Sequence, residues 1–192
     1  SSGCLSTFSW PHEMTELVGQ LINLLAAILL MLSFAMISQR RILSLIHLFT
    51  AQGMTLVAAT VLVGYATHQP HLYVSAGITL ALKVILIPLL LYRVINRLDV
   101  RWDVETLINI PMTMVIGIAL VIFAFNLALP ISKLSVSVAR GTLGIALACV
   151  LLSFMMMITR SKAVPQVIGF LSMENGLFFA ATSATYGMPM VV

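Results

Sequence analysis

Charged side chains make up only 8% of the 192 residues, against roughly 25% in soluble domains. A chain so poor in charge cannot cover a water-exposed surface. With 60% of its residues hydrophobic and a mean hydropathy of +1.09, it belongs in lipid. Cysteine is almost absent. Cys4 and Cys149 make neither a disulfide framework nor a metal-ligand spacing, and Cys149 falls inside an apolar run as a small filler. The histidines His12, His47, His68 and His71 are never four apart, so no helical face presents a metal pair. His68 and His71 lie around Pro70, which fits a wet loop. The sequence has no Gly-rich phosphate loop, no Ser/His/Asp set, no CxxC pair and no basic-aromatic surface for nucleic acid. These absences leave no catalytic residue, no cofactor-binding or metal site, and no redox or hydrolytic chemistry in the chain itself. The opening SSGCLSTFSWPH also lacks the basic segment of a signal peptide, and its Trp10–Pro11 reads as an interfacial anchor.

Long apolar runs are what the sequence does have. A bilayer core takes about 20 residues of helix, and segments 16–37, 42–65, 73–95, 108–130, 138–159 and 164–186 meet that length. Backbone groups in hydrocarbon must be satisfied internally, which makes helix the default. The expectation is an all-α, polytopic helix bundle with about six transmembrane helices. Arg40, Arg41, Arg93, Arg97, Arg101, Arg160 and Lys162 fall in loops on one side, and only Lys133 and Arg140 on the other. The positive-inside rule then places the N-terminus outside a cytoplasmic membrane. The units read as an outer-side tail (1–15), a first three-helix unit (16–95), a cytoplasmic connector (96–107) and a second helical unit (108–192). In the connector, RLDVRWDVETL, Arg101 and Glu105 are four apart and can pair on a helix. It is either a lateral helix docking a partner or a solvated link.

Residues 40–60 and 162–182 match without a gap: Arg40 meets Lys162, Ile46 meets Ile168, and Ala58-Ala59-Thr60 meets Ala180-Ala181-Thr182. Gln52 then faces Glu174. Parallel repeats of this kind recur in membrane transport proteins.

Polar residues inside the spans carry the functional signal. Glu174 lies about ten residues from a basic turn, near mid-bilayer, where a charged acid costs roughly 2.5–3.5 kcal/mol. It must be neutral, paired or beside water, as a proton-relay element or as hydrogen-bonding glue. Gly176 admits a close neighbouring backbone, and Asn175 points about 100° away from Glu174. Lys83 lies equally deep, too far from the helix end to snorkel easily. Pro88, five residues later, leaves the Val84 carbonyl without its usual donor and loosens the helix beside the amine. Lys83 reads as part of a hydrated proton path or as an assembly contact to a partner's carboxylate. His47, Gln52 and Asn126 are weaker: relay members, or interhelical hydrogen bonds. The Met155–Met157 run reads as packing or lipid-facing surface.

The stretch Arg160–Gly176, centred on QVIGFLSMENG, resembles component E of hydrogenase-4, a membrane subunit of complex-I-like formate hydrogenlyase assemblies. LKVILIPLLLYRVI (82–95), with Lys and then Pro five later, is similar to that family's third span, and the likeness covers roughly 16–190. Spans five and six also resemble the first helices of the K subunit of NADH–quinone oxidoreductase, a unit shared with the C subunit of multisubunit sodium/proton antiporters. Glu174 matches that unit's mid-membrane Glu. The unit has a further acidic span beyond the point where this sequence ends, which leaves open a second carboxylate partner. Lys83 occupies the matching location in the N-terminal copy.

The resemblance implies a non-catalytic membrane-arm subunit of a complex-I-related respiratory or hydrogenase complex in a bacterial or archaeal inner membrane. Its neighbours would be antiporter-like membrane chains and, indirectly, a peripheral redox arm whose subunits hold iron–sulfur clusters and nickel–iron or flavin. Proton translocation would run through Glu174 and Lys83, with Gln52 and His47 as bridges. Two alternatives stand beside it: a subunit of a cation/proton antiporter, and a structural adaptor between larger membrane subunits.

Overall fold

The computed structural model describes residues 12–67, 70–98, 107–132 and 137–187. Cys4, Trp10–Pro11, His68, the Arg101–Glu105 pair with most of the connector, and Lys133 lie outside the described residues, as do the side chains of His12 and Arg140. The chain is an all-α bundle, with helices α1 (His12–Ser38), α2 (Ile42–Thr67), α3 (Pro70–Thr79), α4 (Ile87–Leu98), α5 (Ile110–Ser132), α6 (Ser137–Thr159) and α7 (Ala163–Gly187). A π-helical segment, Leu80–Leu86, joins α3 to α4, so that Pro70–Arg97 forms one continuous span. Among the described residues, 6 helices are long and apolar enough to cross a membrane, and they coincide with the six expected runs to within a few residues.

Helix boundaries follow local chemistry. Pro70 opens α3, where its missing N–H costs nothing and its fixed φ suits a first turn. Pro88 explains the π segment. It cannot donate to Val84, and its ring would collide with that carbonyl in a regular α-helix. The helix widens instead, and the Ile87 N–H bonds back five residues to Leu82 O. The loosening expected beside Lys83 therefore takes the form of an inserted register, with Lys83 inside it.

Helices α1, α2, α6 and α7 form the centre of the bundle. The third span packs on α2, and α5 lies outside against α6 and α1. Each sequence half thus supplies two central helices to one shared core. The closest approach is α6 against α7. A Cβ on Gly176 would stand 2.9 Å from Val150 Cγ2, 3.3 Å from Val150 N and 3.4 Å from Ala146 O, so only a glycine lets these backbones meet. Met155 and Met156 pack into the core, and Met157 covers Gly169. The outward faces stay apolar, with Met31, Leu89, Ile118 and Phe154 exposed as a lipid-facing surface requires.

Two hydrophobic clusters fill the centre. One gathers Ile42, Leu45, Phe49, Leu91, Ile95, Leu152 and Ile168 near the arginine-bearing end. The other gathers Ala26, Leu29, Leu56, Ala146, Cys149 and Phe179 towards the opposite end. Between them lies a layer of buried polar side chains that includes Ser33, Gln52, Lys83, Ser153, Ser172 and Asn175. Ser33 and Gln52 are bonded at 3.1 Å and Ser153 and Ser172 at 2.8 Å, each pair 19 residues apart in sequence. The second pair repeats the first at an offset of 120. Leu32-Ser33-Phe34, Met36 and Arg40 recur as Leu152-Ser153-Phe154, Met156 and Arg160 at that spacing. The hairpin α1–α2 is therefore repeated as α6–α7, two residues out of step with the ungapped match of 40–60 to 162–182. By these paired bonds Gln52 corresponds to Ser172, not to Glu174.

Candidate membrane-embedded ion-pair site

Lys83 is held in the π segment with 8% of its surface exposed. Gly53 on α2 lets the π segment pack closely, since a Cβ there would lie 3.3 Å from Val84 Cγ2. The amine crosses to α7, where Nζ donates to Asn175 Oδ1 at 2.9 Å and lies 3.2 Å from Glu174 Oε1. The Phe178 ring centroid is 5.9 Å away, inside cation–π range. Asn175 and Glu174 do face different ways: Asn175 is fully buried, while the Glu174 side chain is 52% exposed. Lys83 sits where it reaches both.

A chain of hydrogen bonds continues into the core from Asn175. Asn175 Nδ2 donates to Gln52 Oε1 at 3.4 Å, Gln52 Nε2 to Ser33 Oγ at 3.1 Å, and Ser33 Oγ to Leu29 O at 3.0 Å. The buried Cys149 thiol on α6 also contacts Ser33. The array ties α1, α2, α6, α7 and the π segment together at mid-membrane depth. Amide groups exchange protons poorly, so its chemical capacity is concentrated in the Lys83–Glu174 pair, and the amides hold Lys83 in place. The pair is electrically neutral as a unit, which permits two opposite charges at a depth where one alone is costly.

Glu174, Lys83, Gln52 and Asn175 are thus brought together, with Pro88 shaping the helix and Gly176 the α6–α7 contact. His47 stands elsewhere. It is exposed, five residues before Gln52, with Nδ1 2.8 Å from Leu43 O and its ring edge-on to Tyr92 at 6.1 Å. The Tyr92 hydroxyl is 3.2 Å from Nε2. Asn126 bonds its own helix at Ile122 O. Ser33 and Phe178 were not singled out from the sequence. The repeated Leu-Ser-Phe signature marks Ser33, and Phe178 stands one helical turn after Glu174. Among the described residues, no three His, Cys, Asp or Glu side chains gather where a metal could bind.

Arg160 is a second buried cation, 1% exposed, in the turn between α6 and α7. Its Nη2 donates to Ile37 O at 2.6 Å and to Met36 O at 3.4 Å. It thereby caps the C-terminal carbonyls of α1, where the helix dipole favours a cation. Burial lowers its pKa from the usual guanidinium value. Its counterpart in the first hairpin, Arg40, is exposed.

No family model matches the chain, and no solved structure matches it. It is similar to a protein of Mycobacterium tuberculosis (strain ATCC 25618 / H37Rv) described as "Uncharacterized protein Rv0085", with 28% identity over 173 residues, 90% of this chain and 79% of that protein.

Proposed function

We propose that this chain is a non-catalytic membrane-arm subunit of a complex-I-like respiratory or hydrogenase complex, of the formate hydrogenlyase type, and that it contributes to proton translocation through Lys83 and Glu174. The observation that carries the reading is the pair itself: a buried amine 3.2 Å from a half-exposed carboxylate in the middle of two spans. Moving a proton from Lys83 to Glu174 converts ammonium and carboxylate into amine and acid without changing the net charge. A proton can therefore be stored or passed at this depth without the roughly 2.5–3.5 kcal/mol cost of an isolated charge. Gln52 bridges Asn175 to Ser33 and keeps the amine in register. His47 and Tyr92 form a separate polar contact nearer the arginine-bearing end. Redox chemistry belongs to partner subunits with iron–sulfur and nickel–iron or flavin groups. The chain sits in a bacterial or archaeal cytoplasmic membrane with its N-terminus outside, an orientation supported by Arg40, Arg41, Arg93 and Arg97 on one end of the bundle.

The hydrogen-bond chain from Asn175 to Leu29 favours a second reading, a structural adaptor in which the pair is fixed glue. A Glu174→Gln variant separates the two. As a relay member, Glu174→Gln lowers protons moved per electron in the intact complex while the complex still assembles. Unchanged proton movement at normal assembly would remove the relay role. The antiporter alternative is decided by what co-purifies: redox subunits support the proposal, and antiporter-like chains alone contradict it.

A further inference from the structure

An open groove of about 490 Å³ runs beside the ion pair, with the polar side chains of His71, Ser75, Thr79, Lys83 and Glu174 in its wall beside apolar Val74, Ile78, Leu82 and Phe178. Four of these residues, His71, Ser75, Thr79 and Lys83, recur at four-residue intervals and so form one stripe along α3 and into the π segment. The stripe starts at the first turn of α3, on the membrane face opposite the arginine-bearing end, and covers about 18 Å to Lys83 at helical rise. That is roughly half the thickness of a bilayer core.

Most hydroxyls in the bundle are bonded within it, and those of this stripe are not. Ser33, Thr50, Thr55, Thr60 and Thr67 each donate to the carbonyl four residues back, as polar side chains in lipid commonly do. Ser75 and Thr79 make no hydrogen bond among the described residues, although the groove admits them. Their donors and acceptors are free for water. Past Lys83 the same span turns apolar: Ile87, Leu91 and Ile95 pack into the hydrophobic cluster at the arginine-bearing end, and Pro88 is buried. Polar side chains therefore flank the pair towards the start of α3, and apolar packing flanks it towards the arginine-bearing end.

We propose that this groove is a water-filled half-channel that carries protons between the membrane face at the start of α3 and the Glu174–Lys83 pair. His71 is its mouth, Ser75 and Thr79 anchor the water file, and the half-exposed Glu174 carboxylate is the first group to exchange with it. A proton arriving as hydronium adds to a Glu174 oxygen and leaves water behind, and a proton leaving reverses that step. The proposal rests on the relay reading of the pair and adds to it the side from which the pair is served.

The test uses the full chain in its complex, with Cys4 and Cys149 replaced by alanine and Ser75→Cys, Thr79→Cys or Leu91→Cys introduced singly. A membrane-impermeant cationic methanethiosulfonate is applied to membrane vesicles of each orientation. Cysteines at 75 and 79 should react at least about tenfold faster from the α3 N-terminal face than from the other, because only a wetted thiol forms the reactive thiolate, and cysteine at 91 should stay unreacted from both. Labelling the Thr79→Cys complex should also lower proton translocation. Unreactive cysteines at 75 and 79, faster reaction from the arginine-bearing face, or labelled complexes that translocate normally would each overturn the half-channel while leaving the pair's relay role standing. Reactive cysteines together with a Glu174→Gln complex that moves protons normally would overturn the relay, and the groove's role as a proton path with it.

Discussion

Lys83 and Glu174 are each too costly to keep at mid-membrane alone, and together they cost much less. Lys83 has three neighbours that offset its burial: Asn175, Glu174 and the Phe178 ring. Glu174 is in contact with Lys83 and otherwise faces the groove. Removing either partner leaves the other without its counter-charge. Lys83→Met and Glu174→Gln should each destabilise the protein by about 1–3 kcal/mol, and the double variant by clearly less than their sum, because contacting charges couple. Unfolding in mixed detergent micelles measures the cycle, and strict additivity would show that the two charges do not depend on each other. Both residues were legible in the sequence as anomalies, since a charge amid apolar residues stands out by composition alone. Their meeting was not. It depends on which helices are neighbours, and helices apolar on both their core and lipid faces carry little amphipathic pattern to reveal the packing order. The sequence offered a partner subunit's carboxylate as one answer for Lys83. The structure supplies Glu174 of the same chain.

Among the elements, the span Pro70–Arg97 departs furthest from a plain helix. Six apolar runs of bilayer length fix the number and extent of the spans, because length and hydropathy are local properties. A register insertion is not local in that way: only Pro88 marks it, and a proline can equally kink, end or widen a helix. Here it widens, and the extra residue in the turn sets the rotation of α3 relative to α4. Pro88→Ala restores the missing donor and favours regular α-helix through 80–88. Losing the inserted residue turns the two parts by about 100° relative to each other, which carries Lys83 away from Asn175. Under the proposed relay, the expected result is a complex that assembles with normal helix content yet moves protons no better than Lys83→Met. Proton translocation measured beside circular dichroism checks this, and full activity in Pro88→Ala would show that the π segment is not needed to place the amine. The repeat was legible in outline, but apolar text aligned it two residues away from the correspondence that the Ser33–Gln52 and Ser153–Ser172 bonds define. Hydrogen-bonded pairs tie both helices of each hairpin to one another, whereas a single helix can slide along matching apolar text.

The whole molecule is organised as two hairpins that bury their faces against each other, with the third span and α5 on the outside. The linear order reads as two successive units, 16–95 and 108–192, and among the described residues both buried clusters draw on the two of them. Met36, Ile42, Leu45 and Phe49 from the first share one cluster with Leu152, Met156 and Ile168 from the second. Arg160 reaches from the second unit to the last carbonyls of α1, and Lys83 reaches from the first to α7. Individual spans can insert independently, since insertion is governed by hydropathy, and packing and buried polar contacts assemble them afterwards. Cutting the chain in the connector between α4 and α5 should therefore give two halves that each enter the membrane and recover the bundle when produced together. A tag on one half should then retrieve the other from detergent. Arg160→Met in the second half loses two charge-assisted bonds to α1, a loss of about 1–3 kcal/mol, and should reduce recovery of the first half by about tenfold or more. Gln39→Ala, at a half-buried position in the turn of the first half, leaves those carbonyl contacts intact and should not. Halves that purify separately at full yield would mean that the shared core does not hold them, and the hairpin-against-hairpin arrangement would have to be abandoned.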